Sequence, residues 1–313
     1  MSDITFVVVV SLEAPDVIER CLQELSETGR PVVVVDNAST DKRARVAGRF
    51  SQMSVIRLAE NRGYGGAANV GIERASANDV VLLNADAWPA PDGLDRLMRC
   101  ARTRPRAGIL GPRLVDTGGT PQPSSSGFPT RWWTGLSAVS SWPERARRHA
   151  IGRAKQPFRG FVVGAALFLR RAAIDEVGVF DPRFFLFNEE VDLAWRMWAA
   201  AWSVELCPEA TFVHVGGSAT RRNWPTLYRE QVRGHLLFLA KHQGLDTAEG
   251  ARRYLARILR VRALIAHGDE RLAYANAARW LSSGYAKALL EDRGCTTPDR
   301  TEAPGAQTSG NDH

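Results

Sequence analysis

The sequence predicts an α/β protein, with a mostly parallel central sheet flanked by helices and a helical C-terminal extension. Three observations carry this. Apolar runs of strand length alternate with helical patterns over the first hundred or so residues. Two of those runs end on carboxylates, Val32-Val33-Val34-Val35-Asp36 and Val80-Val81-Leu82-Leu83-Asn84-Ala85-Asp86. From Trp224 to about Leu290 the apolar positions recur at helical spacing. Strand-end carboxylates in an open α/β sheet point into the crevice where such folds bind ligands.

Each element has a local reason. Ile4–Val10 is a continuous apolar strand. Pro15 opens a helix running to Thr28, with Val17, Ile18, Cys21, Leu22 and Leu25 on one stripe and Gly29 as its stop. Val32–Val35 is the second strand, followed by a short helix near Arg43–Phe50 and a third strand, Ser54–Leu58. The Gly-rich stretch Asn61–Gly66 leads into a helix over Ala67–Ala75, and Val80–Leu83 is the fourth strand. Strand–helix alternation of this kind implies parallel pairing with both faces covered. Asp116–Gly127, rich in Gly, Pro, Ser and Thr, reads as a loop. Thr130–Gly160 combines three tryptophans with a run of arginines, and Phe161–Leu169 returns to a strand-like pattern. Glu189–Ala201 reads as a helix and Val204–Val215 as one or two strands. Thr296–His313 is polar and is expected to be disordered.

Bulk properties exclude several classes. At 313 residues and 44% hydrophobic content the chain can bury a substantial core. No run of 18 apolar residues predicts a spanning helix. Met1-Ser2-Asp3-Ile4 runs directly into a strand without the parts of a signal peptide, so a cytoplasmic location is expected. The net charge of +7, carried mostly by arginine, suits anionic lipid or a phosphate-bearing substrate. No finger, helix-turn-helix or aromatic RNA-binding signature accompanies it, so nucleic acid is not an expected partner. Cys21, Cys100, Cys207 and Cys295 lie far apart, which predicts neither a zinc site nor a disulfide framework and fits a reducing compartment.

Five motifs carry chemistry. Asp36, opening the turn Asn37-Ala38-Ser39-Thr40-Asp41, can accept bonds from a base or ribose, or it or Ser39 can cap the next helix. Asp86, after Asn84, suits Mg2+ or Mn2+ beside a diphosphate, or forms a turn before Pro89. Asn61–Gly66 matches neither a Rossmann fingerprint nor a P-loop, but its glycines let backbone approach a ligand closely. Glu189, Glu190 and Asp192 follow the aromatic run Phe184-Phe185-Leu186-Phe187. Acidic residues in a first helical turn complement the helix dipole, yet three crowded carboxylates exceed that need and suit a general base. His214, before Gly216-Gly217, is a structural residue or a group completing a metal shell or bonding phosphate.

In this order the segments resemble the family 2 glycosyltransferases of GT-A fold, especially bacterial rhamnosyltransferase-like members, over roughly Thr5 to Thr220. Val35–Asp41 resembles the family's nucleotide-binding Asp turn. Asn61–Gly71 resembles its Gly/Asn loop, and Leu83-Asn84-Ala85-Asp86 its metal-binding strand end, with Ala85 where Pro is common. Gly164–Arg171 and Val177–Asp181 resemble the segment leading to the acceptor side, and Glu189-Glu190-Val191-Asp192 the catalytic acidic motif. Glu190 stands where many members carry an Asp base, leaving Glu189 and Asp192 as candidates to share the role. Ser11-Leu12-Glu13 stands where Ser-Tyr-Asn is usual.

The resemblance implies a metal-dependent inverting transfer from a nucleotide-diphosphate sugar, with dTDP-L-rhamnose as first donor, to a cell-envelope glycan or polyprenyl-diphosphate-linked acceptor. A soluble acceptor with another nucleotide sugar is the alternative, and a non-catalytic nucleotide-sugar-binding protein a remoter one. It implies catalysis by Glu190 with Glu189 and Asp192. It also implies nucleotide-sugar contacts from Ser11, Asp36, Asn37, Ser39, Asn61, Gly65, Asn69 and Asn84, and Mg2+ or Mn2+ on Asp86 and His214. The catalytic domain is expected over residues 1–220, with a nucleotide-sugar half to about 115 and an acceptor half beyond it. The helical extension is expected over 221–295 and the tail over 296–313. The Trp/Arg stretch and the arginine-rich helix Ala251–Ala266 are expected either to rest on an anionic membrane surface or to form a solvated basic face.

Overall fold

The computed structural model describes residues 4–11, 13–39, 46–75, 78–129, 159–216, 223–284 and 286. The expected tail, most of the Trp/Arg stretch, Thr40-Asp41 and Gly217-Ser218 lie outside them.

Strand β1, Ile4–Val10, is buried along its whole length. Its side chains alternate between two layers: Phe6, Val8 and Val10 enter one core cluster, and Val7 and Val9 enter another on the opposite face. Helix α1 (Pro15–Ser26) buries Ile18, Cys21, Leu22 and Leu25. Strand β2 (Val32–Asp36), a 3-10 turn (Ala47–Arg49) and strand β3 (Ser54–Arg57) follow. Helix α2 spans Gly63–Arg74 and strand β4 spans Asp79–Asn84. The Gly-rich segment is therefore the first turn of α2 and not a loop ahead of it. Packing overrides the poor helix propensity of glycine here, as the contacts below make plain.

Beyond β4 the chain adds β5 (Ala87–Pro89), α3 (Gly93–Thr103), β6 (Ala107–Val115) and β7 (Ser125–Gly127). Then come β8 (Gly160–Val162), β9 (Ala166–Leu169), α4 (Arg171–Val177), α5 (Glu189–Ala199) and β10 (Ser203–His214). The expected loop 116–127 thus ends in a strand, and the strand-like run from Phe161 is two strands. Three helices close the described chain: α6 (Trp224–Gln243), α7 (Leu245–Ile265) and α8 (Gly268–Leu281).

One eight-stranded sheet organises the fold, in the order β3-β2-β1-β4-β9-β6-β10-β5, and β7 and β8 form a separate ribbon. The first four strands are parallel. Strand β9 runs antiparallel to both neighbours, β6 pairs parallel with β10, and β5 pairs antiparallel with β10. The strand order reverses direction at β1, and the ends of β2 and β4 open there into the crevice of an open α/β sheet.

The three C-terminal helices share a third core cluster with α5. Phe184 and Val191 pack among Leu236, Phe238, Leu259 and Leu281. Trp195 of α5 meets Phe128 and Phe238 edge-on, with ring centroids 4.9 and 5.6 Å apart. The extension thus braces the helix that carries the acidic motif.

The cysteines require a correction. Cys100 of α3 and Cys207 of β10 form a disulfide across 107 residues of sequence, which distant spacing alone did not predict. The sheet brings the α3 flank against β10 and closes that distance. Glu209 lies beside the pair, but the bridge occupies both sulfurs.

Candidate active site

The register of β1 fixes the frame: Val10 faces Asp36 on one side and Val9 faces Asn84 on the other. Two strand spacings, about 10 Å, therefore separate the two strand ends. Asp36 is buried, and its Oδ1 accepts a bond from the Ser39 N–H at 2.9 Å. The turn bends through Ala38 at φ 63°, a left-handed conformation unusual for alanine, and the buried Ser39 Oγ has no hydrogen-bond partner. At the start of the crevice the Ser11 N–H donates to Glu13 Oε2 at 2.8 Å.

Asn37 and Asn69 are built into the frame. Asn37 Nδ2 donates to Asn61 Oδ1 at 2.9 Å and to the Gly63 carbonyl at 3.2 Å, while its Oδ1 accepts from the Arg62 N–H. Both N–H groups of that amide are committed to the protein, which leaves none for a nucleotide. Asn61 Oδ1 also accepts from the Gly63 N–H. Asn69 clamps Phe180 from both sides, donating to its carbonyl at 2.8 Å and accepting its N–H at 3.0 Å.

The glycines admit protein and not ligand. A Cβ on Gly63, whose φ is +73°, would stand 2.1 Å from the Phe185 carbonyl oxygen. One on Gly65 would stand 3.0 Å from Phe180 Cβ and 3.4 Å from Glu189 Cβ. Their absence lets α2 close on the segment that launches α5. The Tyr64 N–H donates to the Phe185 carbonyl at 2.8 Å, and the Tyr64 hydroxyl donates to the Gly164 carbonyl at 3.2 Å.

Gly164 connects this cluster to the acidic helix, because a Cβ there would lie 3.6 to 3.7 Å from Glu190 Cβ, Cγ and Cδ. The next residue, Ala165, accepts the Asn84 N–H at 3.0 Å, so Glu190 stands beside the end of β4. Two consecutive left-handed residues, Phe187 at φ 67° and Asn188 at φ 68°, precede α5. Such strain persists only where surrounding structure holds it. Gly234 of α6 provides that support, since a Cβ on it would fall 2.5 Å from the Phe187 carbonyl oxygen.

The three acidic residues have different fates. Glu189 is buried with Oε2 unpartnered. Burial and the neighbouring Glu190 push its carboxyl well above the usual range. Glu190 is half-buried, also with Oε2 unpartnered, and burial pushes it up to about 7 against the opposing pull of backbone bonds. Burial thus disfavours the charged form of both members of this adjacent pair, with Glu190 brought close to neutrality. Asp192 does not join them. It is fully buried and meets Arg196 at 2.9 Å and both Lys241 and His242 at 2.7 Å. Burial would raise its carboxyl, but the His242 bond and the Arg196 and Lys241 charges outweigh that and hold it below the usual range. A carboxylate matched by three cationic or donor groups is a poor base, so Asp192 braces the helix.

Asp86 and His214 meet through a β ladder. His214 pairs with Ala87 between β10 and β5, and the Val215 N–H donates to the Asp86 carbonyl at 3.0 Å. Asp86 Oδ2 accepts the Gly216 N–H at 3.1 Å. Oδ1 is buried with no hydrogen-bond partner, and His214 Nε2 stands 3.5 Å from it. Gln122 sets the imidazole. Its Nε2 donates to the His214 carbonyl at 2.8 Å, which turns its Oε1 to His214 Nδ1 at 2.9 Å. An amide oxygen only accepts, so Nδ1 carries the proton and Nε2 presents its lone pair. A buried orphan carboxylate oxygen beside an imidazole lone pair is a donor set that fits Mg2+ or Mn2+.

Tyr64 lies within the electrostatic reach of these carboxylates. Burial pushes the Tyr64 phenol well above its ordinary range, and the nearby carboxylates of Glu189, Glu13, Glu190 and Asp86 push it the same way. Tyr64, Glu13 and Gln122 had no assigned role in the sequence. Tyr64 lay inside the Gly-rich motif, and Gln122 sits between two prolines, where no periodicity signals it.

The model of glycosyl transferase family 2 matches residues 6–178. A Mycobacterium tuberculosis protein named N-acetylglucosaminyl-diphospho-decaprenol L-rhamnosyltransferase is 32% identical over 78% of this chain and 87% of its own length. A galactofuranosyltransferase of the same organism is 28% identical over 70% of this chain and 72% of its own. Among solved structures, the mannosyltransferase PcManGT of Pyrobaculum calidifontis, in complex with GDP-Man and Mn2+, has a TM-score of 0.52 at 17% identity. It covers 92% of this chain and 83% of its own. TarS of S. aureus with UDP-GlcNAc has a TM-score of 0.51 at 15% identity, with the same two coverages of 92% and 83%. These neighbours share the GT-A fold. The chain belongs to glycosyl transferase family 2 and is a glycosyltransferase.

Proposed function

We propose that this glycosyltransferase moves L-rhamnose from dTDP-L-rhamnose, with inversion, to a hydroxyl of a polyprenyl-diphosphate-linked glycan. The transferred sugar and the acceptor follow the named activity of the 32% identical mycobacterial relative, and the dTDP carrier follows the family resemblance. The observation that carries the chemistry is Glu190, a carboxylate lifted to about 7 by burial beside the end of β4. A base with that affinity is matched to taking a proton from a sugar hydroxyl near neutral pH.

In this reading Glu190 removes the acceptor proton as the hydroxyl oxygen attacks the anomeric carbon opposite the leaving diphosphate. Burial and the neighbouring Glu190 raise the Glu189 carboxyl, which disfavours two negative charges side by side. Asp36 and the unpartnered Ser39 hydroxyl receive the nucleoside. Ser11 and Asn84 line the same end of β1 and β4. Asp86 and His214 would hold Mg2+ or Mn2+, and that ion would supply positive charge beside the diphosphate. The Mn2+ complex of the mannosyltransferase neighbour is in keeping with that ion. A second reading, another nucleotide sugar as donor, is favoured by the 28% identical galactofuranosyltransferase.

The test is a thermal-shift panel of nucleotide sugars with and without Mn2+, followed by transfer of labelled sugar to a lipid-linked N-acetylglucosamine acceptor. The donor with the largest Mn2+-dependent shift should be dTDP-L-rhamnose. A larger shift with a different sugar nucleotide would reassign the donor. No shift with any of them would reject nucleotide-sugar binding. Donor binding that persists with transfer unchanged in Glu190→Gln would reject Glu190 as the base.

A further inference from the structure

The end of the α7–α8 hairpin has a surface unlike the rest of the molecule. Six large hydrophobic residues are exposed among the described residues, and four of them gather here: Leu264 at 83%, Ile265 at 72%, Val261 at 57% and Leu272 at 54%. Val261, Leu264 and Ile265 occupy the last turns of α7, and Leu272 the first turns of α8. Tyr254, half a helix earlier, lies on the same face, because positions 254, 257, 261 and 264 fall on one stripe. The opposite face of α7 is already used, with Ala248, Ala251, Leu255 and Leu259 in the third core cluster. The exposed stripe is therefore not a core face left open by chance of register.

Basic side chains frame it. Arg253, Arg257 and Arg260 are exposed along α7, Arg271 is exposed on α8, and Arg262 lies over the Tyr274 ring at 4.5 Å. Asp269 and Glu270 are the only acidic residues between positions 253 and 272, against five arginines. Both acids sit in the first turn of α8, where they complement its dipole. An aliphatic tip with arginines at its flanks matches a bilayer boundary: the aliphatic groups enter the acyl region while the long arginine stems reach back to phosphates. No helix of the described residues is long and apolar enough to cross a membrane, so contact of this kind is with the surface.

We infer that the α7–α8 tip docks the enzyme onto an anionic lipid bilayer, with Val261, Leu264, Ile265 and Leu272 inserted and Arg257 and Arg260 on the headgroups, Arg253 being paired with Glu249. Charge selects this occupant over a second copy of the chain. A two-fold self-contact would press the same arginines against each other, whereas anionic phosphates neutralise them. The inference deepens the lipid-linked acceptor reading and rests on it for its biological sense. Its test uses neither donor nor acceptor and can therefore fail separately.

The test is co-sedimentation of the full chain with phosphatidylcholine vesicles, with and without phosphatidylglycerol, at low and high salt. Binding should require phosphatidylglycerol and weaken with salt. Leu264→Asp/Ile265→Asp should weaken it by about tenfold or more without lowering the melting temperature, since both side chains already face solvent. Arg257→Glu/Arg260→Glu should weaken it by a similar factor. The inference is overturned if wild type binds neither vesicle, or if the aspartate variant binds as wild type does. It is also overturned if wild type is a dimer in solution that the aspartate variant splits.

Discussion

Lys241 Nζ of α6 lies 2.7 Å from Asp192 Oδ1 of α5, and the same ammonium lies 2.7 Å from Asp181 Oδ2. One cation of the C-terminal extension thus ties together the helix that carries Glu190 and the segment leading into it. Asp192→Asn should leave Lys241 and Arg196 facing each other without the buried charge between them. A loss of about 3 kcal/mol is expected, read by urea denaturation at neutral pH. The sign with pH follows from the depressed carboxyls of Asp181 and Asp192. Their stabilisation is present above the unfolded carboxylate range, near pH 4, and is lost as pH falls below it. Wild-type stability should drop steeply on acidification, and Asp192→Asn should flatten that drop.

Glu189 and Glu190 act in the opposite direction. Their carboxyls are raised, so the folded state holds protons that the unfolded state has released, and stability should fall between about pH 4.5 and 7. Transfer should rise over the same interval and level off above about pH 7 as Glu190 ionises. Glu190→Gln should reduce kcat by about 10²- to 10⁴-fold and abolish that limb. Glu189→Gln keeps the shape and removes a carboxyl whose charged form its buried surroundings disfavour, so it should retain most of the activity. Equal losses in the two variants would contradict the division of roles.

Gln122 holds His214 at both its carbonyl and its Nδ1, so its removal tests the orientation of that imidazole without removing a proposed metal donor. Gln122→Ala should raise the Mn2+ concentration for half-maximal activity by about 10- to 100-fold, with kcat at saturating Mn2+ nearly unchanged. Asp86→Ala should eliminate the Mn2+-dependent thermal shift. An unaltered Mn2+ requirement in Gln122→Ala would show that the imidazole needs no such support.

Gly63 tests the close approach of α2 to the acidic segment. Gly63→Ala adds a Cβ at φ +73° that would stand 2.1 Å from the Phe185 oxygen, so the backbone must separate. A destabilisation of about 3 kcal/mol is expected, with lower activity because Tyr64 and Glu190 are displaced together. A melting curve and a rate measured on one preparation check both.

Cys207→Ser removes a cross-link that closes 107 residues. It should lower stability by about 2 to 4 kcal/mol, with chemical denaturation as the measure. Peptide mapping without reductant should recover the Cys100 and Cys207 peptides joined. Cys21 should resist alkylation in the native protein, because burial first and the Asp86 and Glu13 charges next raise its thiol.

The strands around Asp36 and Asp86 were legible because continuous apolar runs bounded by carboxylates leave few alternatives. Asp86 stood out in the sequence as a candidate metal ligand, but its surroundings did not. The antiparallel pairing of β5 with β10 that delivers His214 depends on residues more than a hundred positions apart. The packing roles of Asn37, Asn69 and Gly65 were not legible for a common reason: amides and glycines suit a ligand and a packed loop equally well along the sequence, and only the fold shows their protein contacts. Asp192 resembled its acidic neighbours until the folded chain set Lys241 and His242 against it. The disulfide was hidden because cysteine spacing along the chain says little about distance in space.

The position of β9 bears on how the protein is made. Residues 166–169 fill the gap between β4 and β6, so neither flank of the sheet is finished when the first 115 residues have left the ribosome. Until that short strand emerges, β4 offers an unpaired apolar edge to any other extended chain nearby. A nascent-chain truncation before residue 166 should therefore aggregate or recruit chaperones more than one that runs through β10 at His214, which covers the remaining edge of β6 as well.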